Sequence, residues 1–527
     1  MCGIFYILSN GKQVNLTSVE IENIIEKIKY RGPDKTNIVK DNNDIFVHTL
    51  LAIQGVNPQP IIDNSNYLLF NGEIYGTSSL NESKEKGIIK FDTIPSKFNS
   101  EGEFLINYFK DNNFYRLDEL DGEFVINYVD KQNNKIHIIT DPFGTKPFCF
   151  FKNSDYFIAS SYESCVEKAM KQFNLNGNIE FVIPNTHYIF DLNTYEKISQ
   201  EEIVKWDFEP RYSNFERWNI AFDNSIKKRT NTDKGIFVPL SSGYDSGCIV
   251  SSMINLNKKF KTYTFKGIED VKTLEDRKLL IEKNNNKFNY INPKNNIEEK
   301  YKEYCNRIEN YTAYHIDGTP YADIYKAYSC FGLYQIFQEA RNDNQIIFLS
   351  GHGGDEIFSD YGNPGNIDAS ILELDYTNVR SKWPNFDSSY GRNIIQMFER
   401  VAGCFGIESR YPFLDKHVVQ EFLWLNDNIK NKEFKQCIGQ YMRKYNFPFL
   451  ENKKCSVRVI TDEEGGNDYF FYIVNRINTK LGIEKKTYPK LGTIKKEHYR
   501  PTLTFNPIIK YYPLYRNNIF YKYIYYN

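Results

Sequence analysis

No stretch of the 527 residues approaches the roughly 20 consecutive apolar side chains of a membrane-spanning helix, so no such span is expected. Neither sign of charge dominates. Against 66 Lys and Arg stand 67 Asp and Glu, a net charge of −1, and that balance builds no nucleic-acid surface. The nine cysteines include no C-x-x-C pair, and scattered thiols of this kind are expected of a reducing, cytoplasmic compartment. The start, Met1-Cys2-Gly3-Ile4, has neither the basic residues nor the apolar core of a secretory signal. What remains is a chain with room for about two to four domains and ample cores.

Cys2 is the first residue with chemistry to offer. Initiator methionine is normally removed when a small residue follows, which would leave Cys2 with a free α-amino group. The ordinary pKa of that amine, roughly 7.7–8.0, suits it to act as base for the adjacent thiol. Gly3 to Leu8 reads as a buried strand carrying this nucleophile. On position alone, a chance cysteine at a frayed terminus is the better account. Thr17 with Glu20 makes a capping box, and Ile21, Ile24, Ile25 and Ile28 form one apolar stripe, which predicts a helix over about 18–29. It ends at Tyr30-Arg31-Gly32-Pro33-Asp34. Further on come Phe70-Asn71-Gly72-Glu73-Ile74-Tyr75, where Asn71-Gly72 alone would be an ordinary turn, then Leu120-Asp121-Gly122-Glu123-Phe124 and Asp141-Pro142-Phe143-Gly144-Thr145-Lys146-Pro147. Strands are expected near 44–53, 66–70, 123–129, 135–140, 147–160 and 179–191.

Beyond a polar, acidic connection through Trp206-Asp207-Phe208-Glu209-Pro210, β-prone runs alternate with helical patterns, as in a parallel sheet wrapped by helices. Strands are expected at 235–239, 261–265, 287–291 and 345–349. Between the first of these and a helix opening near Ser246 lies Leu240-Ser241-Ser242-Gly243-Tyr244-Asp245-Ser246. A small-residue turn into a helix N-terminus gathers backbone N–H groups and hydroxyls at one spot, an anion site. Asp245 would repel phosphate unaided, which points to a Mg²⁺ between them. No Gly-Lys-Ser/Thr follows, so the loop is not of Walker type. Taken alone, the stretch fits a plain Ser-rich strand-to-helix turn equally well. A second loop of the same character, Ser350-Gly351-His352-Gly353-Gly354-Asp355-Glu356, follows the strand at 345–349.

Together and in this order, the N-terminal motifs resemble the class II glutamine amidotransferase domain, an N-terminal-nucleophile hydrolase. The resemblance implies an αββα sandwich over residues 2–207, with Cys2 attacking the glutamine amide and Asn71 and Gly72 forming the oxyanion hole. It implies a glutamine pocket of Arg31, Thr49, Leu50, Leu51, Ala52, Ile53, Asn71, Gly72, Glu73 and Glu101. Two positions depart from the family. Leu50 stands where an arginine grips the glutamine carboxylate, and Glu101 where an aspartate holds the α-amino group.

Ser241-Ser242-Gly243-Tyr244-Asp245-Ser246 is similar to the pyrophosphate loop of ATP pyrophosphatases. Glu399-Arg400 followed by Gly406-Ile407-Glu408-Ser409-Arg410-Tyr411-Pro412-Phe413-Leu414-Asp415 closely resembles the signature of asparagine synthetases. A Rossmann-like parallel α/β domain over 208–455 is implied, with residues 456–527 as a C-terminal extension. The carry-over makes Ser241, Ser242, Gly243 and Ser246 the pyrophosphate cradle and Asp245 and Asp355 the Mg²⁺ ligands. Leu240, Phe265, Ser350 and Gly351 would shape the ATP site, and Arg400 and Lys453 would neutralise departing pyrophosphate. Here too the chain departs: Ser242 replaces a glycine, His352 a glutamate that assists ammonia attack, and Glu399 an aspartate. The implied reaction is cytoplasmic, glutamine-dependent asparagine synthesis from glutamine or ammonia, aspartate and ATP, with ammonia crossing between the domains. Another amide-forming ligase of the β-lactam synthetase kind, or a catalytically silent relative, stays open, and a homodimer is one assembly open to it.

Overall fold

The computed structural model describes residues 1–87, 89–265, 269–291, 297–314, 320–358, 390–430, 433 and 435–451. In the strand Gly3–Ser9, side chains alternate between two apolar layers. Ile4, Tyr6 and Leu8 enter a core with Leu69, Val125 and Ile138, while Phe5 and Ile7 meet Ile21, Ile24, Ile28 and Val166. A strand buried on both faces must lie inside its sheet. Its sheet runs, edge to edge, Glu180–Phe181, Cys149–Lys152, Tyr156–Ser160, Gly3–Ser9, Asp44–Leu50 and Lys35–Asp41. The second sheet runs Lys197–Glu202, Thr186–Asp191, Lys135–Thr140, Leu120–Asp130, Asn66–Thr77 and Ile61–Asp63, with Asp92–Thr93 paired to Asn66–Thr77. All these pairings are antiparallel. Phe104, Leu105 and Phe109 of the helix Glu101–Asn112 cover the second sheet's far face, completing the αββα order.

Several expected elements change in detail. The capping box at Thr17 and Glu20 is present, but the helix divides into Ser18–Ile24 and Glu26–Arg31, because Ile25, at φ −87° and ψ 4°, leaves helical geometry. The run 147–160 is two strands joined by a turn in which Asn153 Oδ1 accepts the N–H groups of Asp155 and Tyr156. Pro184, which has no N–H to donate, stands between Glu180–Phe181 and Thr186–Asp191. Asn71-Gly72 is no turn. It lies inside the twelve-residue strand Asn66–Thr77, where Gly72 takes φ +128° and a Cβ would sit 1.8 Å from Glu123 O. Only glycine permits that approach.

The strands at 235–239, 261–265, 287–291 and 345–349 form as expected, in a parallel sheet ordered Lys287–Ile291, Lys261–Phe265, Gly235–Pro239, Gln345–Leu349, Glu408–Arg410. The fifth strand is three residues long and reads Glu-Ser-Arg, with no apolar pattern to announce it. After Gly235–Pro239 the chain builds to one side of the sheet, then returns to the other with Gln345–Leu349. The order therefore reverses between these two strands, the place where such sheets bind ligands. Both small-residue loops begin there. The tail from 456 lies outside the described residues.

Candidate active sites

Among the described cysteines Cys2 alone is not buried. Burial pushes its thiol up; the neighbouring α-amino group and a hydrogen bond from the Leu51 backbone pull it back. The amine here belongs to Met1, which is buried, with its nitrogen 3.7 Å from Glu408 Oε2. Arg31, expected beside the nucleophile, donates through Nε to Cys2 O at 3.0 Å. The strand Asn66–Thr77 lies against Gly3–Ser9 and supplies Asn71, fully buried with neither Oδ1 nor Nδ2 paired. A buried amide without partners is costly, and an arriving oxyanion would satisfy its N–H. Thr49 is committed elsewhere, donating to Ile28 O at 2.8 Å. Leu50 is buried, Ala52 donates to Asp34 Oδ2 at 2.7 Å, and Leu51 and Ile53 join a core shared with the parallel-sheet unit.

Glu101 opens its helix and accepts from the N–H of Ile74 at 2.8 Å; burial pushes its carboxyl up to about 7. Glu73, raised well above its ordinary value by burial and then by Glu408, lies 3.0 Å from the Arg410 guanidinium. Arg410 also holds Glu408 at 2.7 Å. A cation of the parallel-sheet unit therefore reaches a buried carboxylate of the sandwich.

In the second site, Gly243 caps the helix Tyr244–Asn255, and Ser241, Gly243 and Ser246 are laced together. Ser241 N–H donates to Ser246 Oγ at 3.1 Å, Gly243 N–H to Ser241 Oγ at 3.1 Å, and the two hydroxyls lie 3.0 Å apart. Leu240 and Phe265 are buried beneath. Asp245 projects from the first turn toward the second loop, where Gly351 and Gly354 make room: a Cβ on Gly354 would sit 2.3 Å from Asp245 Oδ1. Asp245 and Asp355 meet over one cation, Lys435 Nζ, at 2.6 and 2.5 Å. Burial alone would lower this lysine, but the two carboxylates outweigh it and hold it charged. Two carboxylates sharing one position would also suit a divalent ion. Among the described residues no cluster of three or more His, Cys, Asp or Glu offers a metal a closed cage. Ser350 Oγ lies 2.5 Å from His352 Nδ1, and burial holds that imidazole down at about 4, so it is neutral near pH 7.

Arg400 does not join this site. Its guanidinium stacks over Tyr311 at 4.1 Å and Tyr162 at 5.7 Å and donates to Gln396 O at 2.8 Å. The cause is its helix, Tyr390–Gly403, whose packing against Glu26–Arg31 turns that end toward the sandwich. Lys453 lies outside the described residues. No sequence motif marks Lys435, which stands in a left-handed backbone position ahead of a short helix.

A seam of buried charge joins the two units. Lys146 pairs with Glu399 at 3.1 Å and donates to Ser409 O at 2.8 Å; Arg31 lies 3.5 Å from Glu399, and Tyr411 OH donates to it at 2.8 Å. Arg229 holds Glu123 at 2.8 Å and Asp415 at 2.9 Å, and Lys228 holds Asp121 at 2.8 Å and Asp415 at 2.5 Å. Motif residues with no role readable from sequence, in Leu120–Phe124, Asp141–Pro147 and Gly406–Asp415, are the ones that fasten the units.

Antiparallel double sheets are fastened by this seam to a parallel sheet with small-residue loops at its switch point, and comparison with known proteins gives the class: a glutamine amidotransferase domain followed by a synthetase domain. Residues 1–200 match the glutamine amidotransferase domain family, and residues 217–373 match the asparagine synthase family. The chain belongs to the glutamine-hydrolysing asparagine synthetase family. It is 25% identical over 459 residues to a Methanocaldococcus jannaschii protein provisionally named asparagine synthetase (glutamine-hydrolyzing) 1, covering 80% of each chain. It is 26% identical over 473 residues to the asparagine synthetase (glutamine-hydrolyzing) of Mesocricetus auratus, covering 81% of this chain and 77% of that one. The Mus musculus enzyme of the same name is 25% identical over 478 residues, covering 82% and 78%. No helix among the described residues is long and apolar enough to cross a membrane.

Proposed function

We propose that this protein makes asparagine: glutamine hydrolysis over residues 2–207 supplies ammonia, and ATP activates the aspartate β-carboxylate over residues 208–455. The observation that carries this is Asn71, buried and unpaired in both side-chain atoms within the unit whose first strand bears Cys2. Once Met1 is removed, the Cys2 amine takes the proton of the thiol, and the thiolate attacks the glutamine amide. The N–H groups of Asn71 and Gly72 receive the negative oxygen that forms. The intermediate collapses with cleavage of the C–N bond, ammonia leaving with the proton held by the amine, and water then hydrolyses the glutamyl thioester to glutamate and regenerates the thiol.

In the second site, Ser241, Ser242, Gly243 and Ser246 hold the β- and γ-phosphates of ATP, over the buried floor of Leu240 and Phe265. Asp245 and Asp355 would hold Mg²⁺, which when bound supplies positive charge to the phosphates. The aspartate carboxylate attacks the α-phosphorus and pyrophosphate leaves, with Lys435 beside it. Ammonia arriving across the seam displaces AMP to give the amide. His352 favours one second reading, another ATP-dependent amide-forming ligase with a different carboxylate. A neutral imidazole stands where the family glutamate would assist ammonia.

Pyrophosphate release from ATP, with and without aspartate, decides between them. Stimulation by aspartate is expected. Stimulation by another carboxylate alone would favour the second reading, and no release with any acid would make the protein a silent relative. Cys2→Ala is expected to abolish glutamine-driven synthesis and spare ammonia-driven synthesis; equal loss of both would show that Cys2 is structural.

A further inference from the structure

At Ser242, where the pyrophosphate loop departs from the family glycine, the anion position is already in use by the chain itself. The Ser242 N–H donates to Glu269 Oε2 at 2.6 Å, and the Ser242 hydroxyl donates to the same oxygen. That hydroxyl also accepts from the N–H of Asp270 at 3.1 Å, and Asp270 caps the helix Val271–Lys283. Glu269 is 8% exposed, and its second oxygen, Oε1, has no hydrogen-bond partner. A buried carboxylate with an idle oxygen is costly to maintain. Arg277 lies close by, donating to Ser241 O and to Pro448 O, and it offsets part of the charge.

We propose that Glu269 stands in for a ligand phosphate: it closes the pyrophosphate loop of the nucleotide-free protein, and ATP binds by displacing it from Ser242. The proposal rests on reading this loop as the ATP phosphate site. A carboxylate oxygen and a phosphate oxygen compete for the same N–H, and two anions cannot share it. The Ser242 hydroxyl strengthens the latch, because the glycine usual at this position could offer only its N–H. The displaced contact is a charge-assisted pair, so the latch lowers phosphate affinity by about tenfold or more. When it opens, the segment bearing Asp270 and the start of its helix lose their tie to the loop, which couples nucleotide binding to that segment.

The test is calorimetric titration of the full chain with magnesium pyrophosphate, in wild type, Glu269→Gln and Ser242→Gly. Glu269→Gln removes the competing charge and keeps the shape; Ser242→Gly removes the hydroxyl and keeps the N–H. Tighter binding is expected in both, by about tenfold or more in Glu269→Gln and by less in Ser242→Gly. The KM for ATP should fall in the same order. Were Glu269 only a prop for the loop, both variants would bind pyrophosphate more weakly, and that result, or unchanged affinity with normal wild-type binding, overturns the latch. Absence of pyrophosphate binding in the wild type and both variants would overturn the reading of the loop itself, and the latch with it. A thermal unfolding scan of each variant separates weaker binding from a failure to fold.

Discussion

Leu50 ends the strand Asp44–Leu50 at 7% exposure, and leucine offers a glutamine carboxylate nothing. An arginine fork on a carboxylate is geometry-specific, and each hydrogen bond to a charged group contributes about 1.5–3 kcal/mol. Leu50→Arg is therefore expected to lower the KM for glutamine by about tenfold or more, leaving kcat within a few-fold. Steady-state glutaminase kinetics check this, and an unimproved constant would mean that another group already grips the carboxylate. Glu101 makes a second residue-scale prediction. With its carboxyl raised to about 7, it is anionic only above that pH, so the KM for glutamine should rise as pH falls from 8 to 6. Glu101→Gln should flatten the profile. Stability moves in a defined direction too. The folded state holds this proton more tightly than an unfolded carboxyl of about 4.3, so the contribution present at low pH is lost as pH rises through about 7.

Two strand-to-helix connections make the second site, and the first needs the glycines of the second. The helix Tyr244–Asn255 aims Asp245 at the loop after Gln345–Leu349, where a Cβ on Gly354 would meet Asp245 Cγ at 2.5 Å. Gly354→Ala should push that carboxylate away from Asp355. A misplacement near 1 Å can cost about 100-fold in rate, so pyrophosphate release should fall by about that factor while glutamate formation from glutamine persists. Assaying both products on one preparation tests it; full ATP turnover would show that Asp245 has freedom to move aside.

The seam of charge belongs to the whole molecule. Arg229 is fully buried between Glu123 of the sandwich and Asp415 of the parallel-sheet unit. Arg229→Met keeps a long apolar stem over Tyr75 but takes the guanidinium from Glu123 and leaves Asp415 with Lys228 alone as its cation. Removing one member of a buried pair costs about 3–5 kcal/mol. The urea midpoint is expected to drop accordingly, and glutamine-driven synthesis should suffer more than ammonia-driven synthesis as the two units loosen. An unchanged midpoint would make the seam incidental to how the units hold together.

The strands of the parallel sheet that bear the ligand loops were legible from sequence alone, as were Cys2 at the head of a buried strand and the two small-residue loops. Short-range physics decides such features: apolar alternation, capping, and what glycine and serine permit within a few residues. What the charged residues do was settled only by the tertiary structure. Glu408–Arg410 carries no apolar pattern, yet it becomes a sheet strand because Gln345–Leu349 pairs with it. Arg400 faces Tyr162 because its helix packs on the sandwich. Lys435 meets Asp245 and Asp355 from 190 residues along the chain in the first case. A buried charge takes the partner that folding brings within a few ångströms in a low-dielectric interior, and no local spacing records which partner that is.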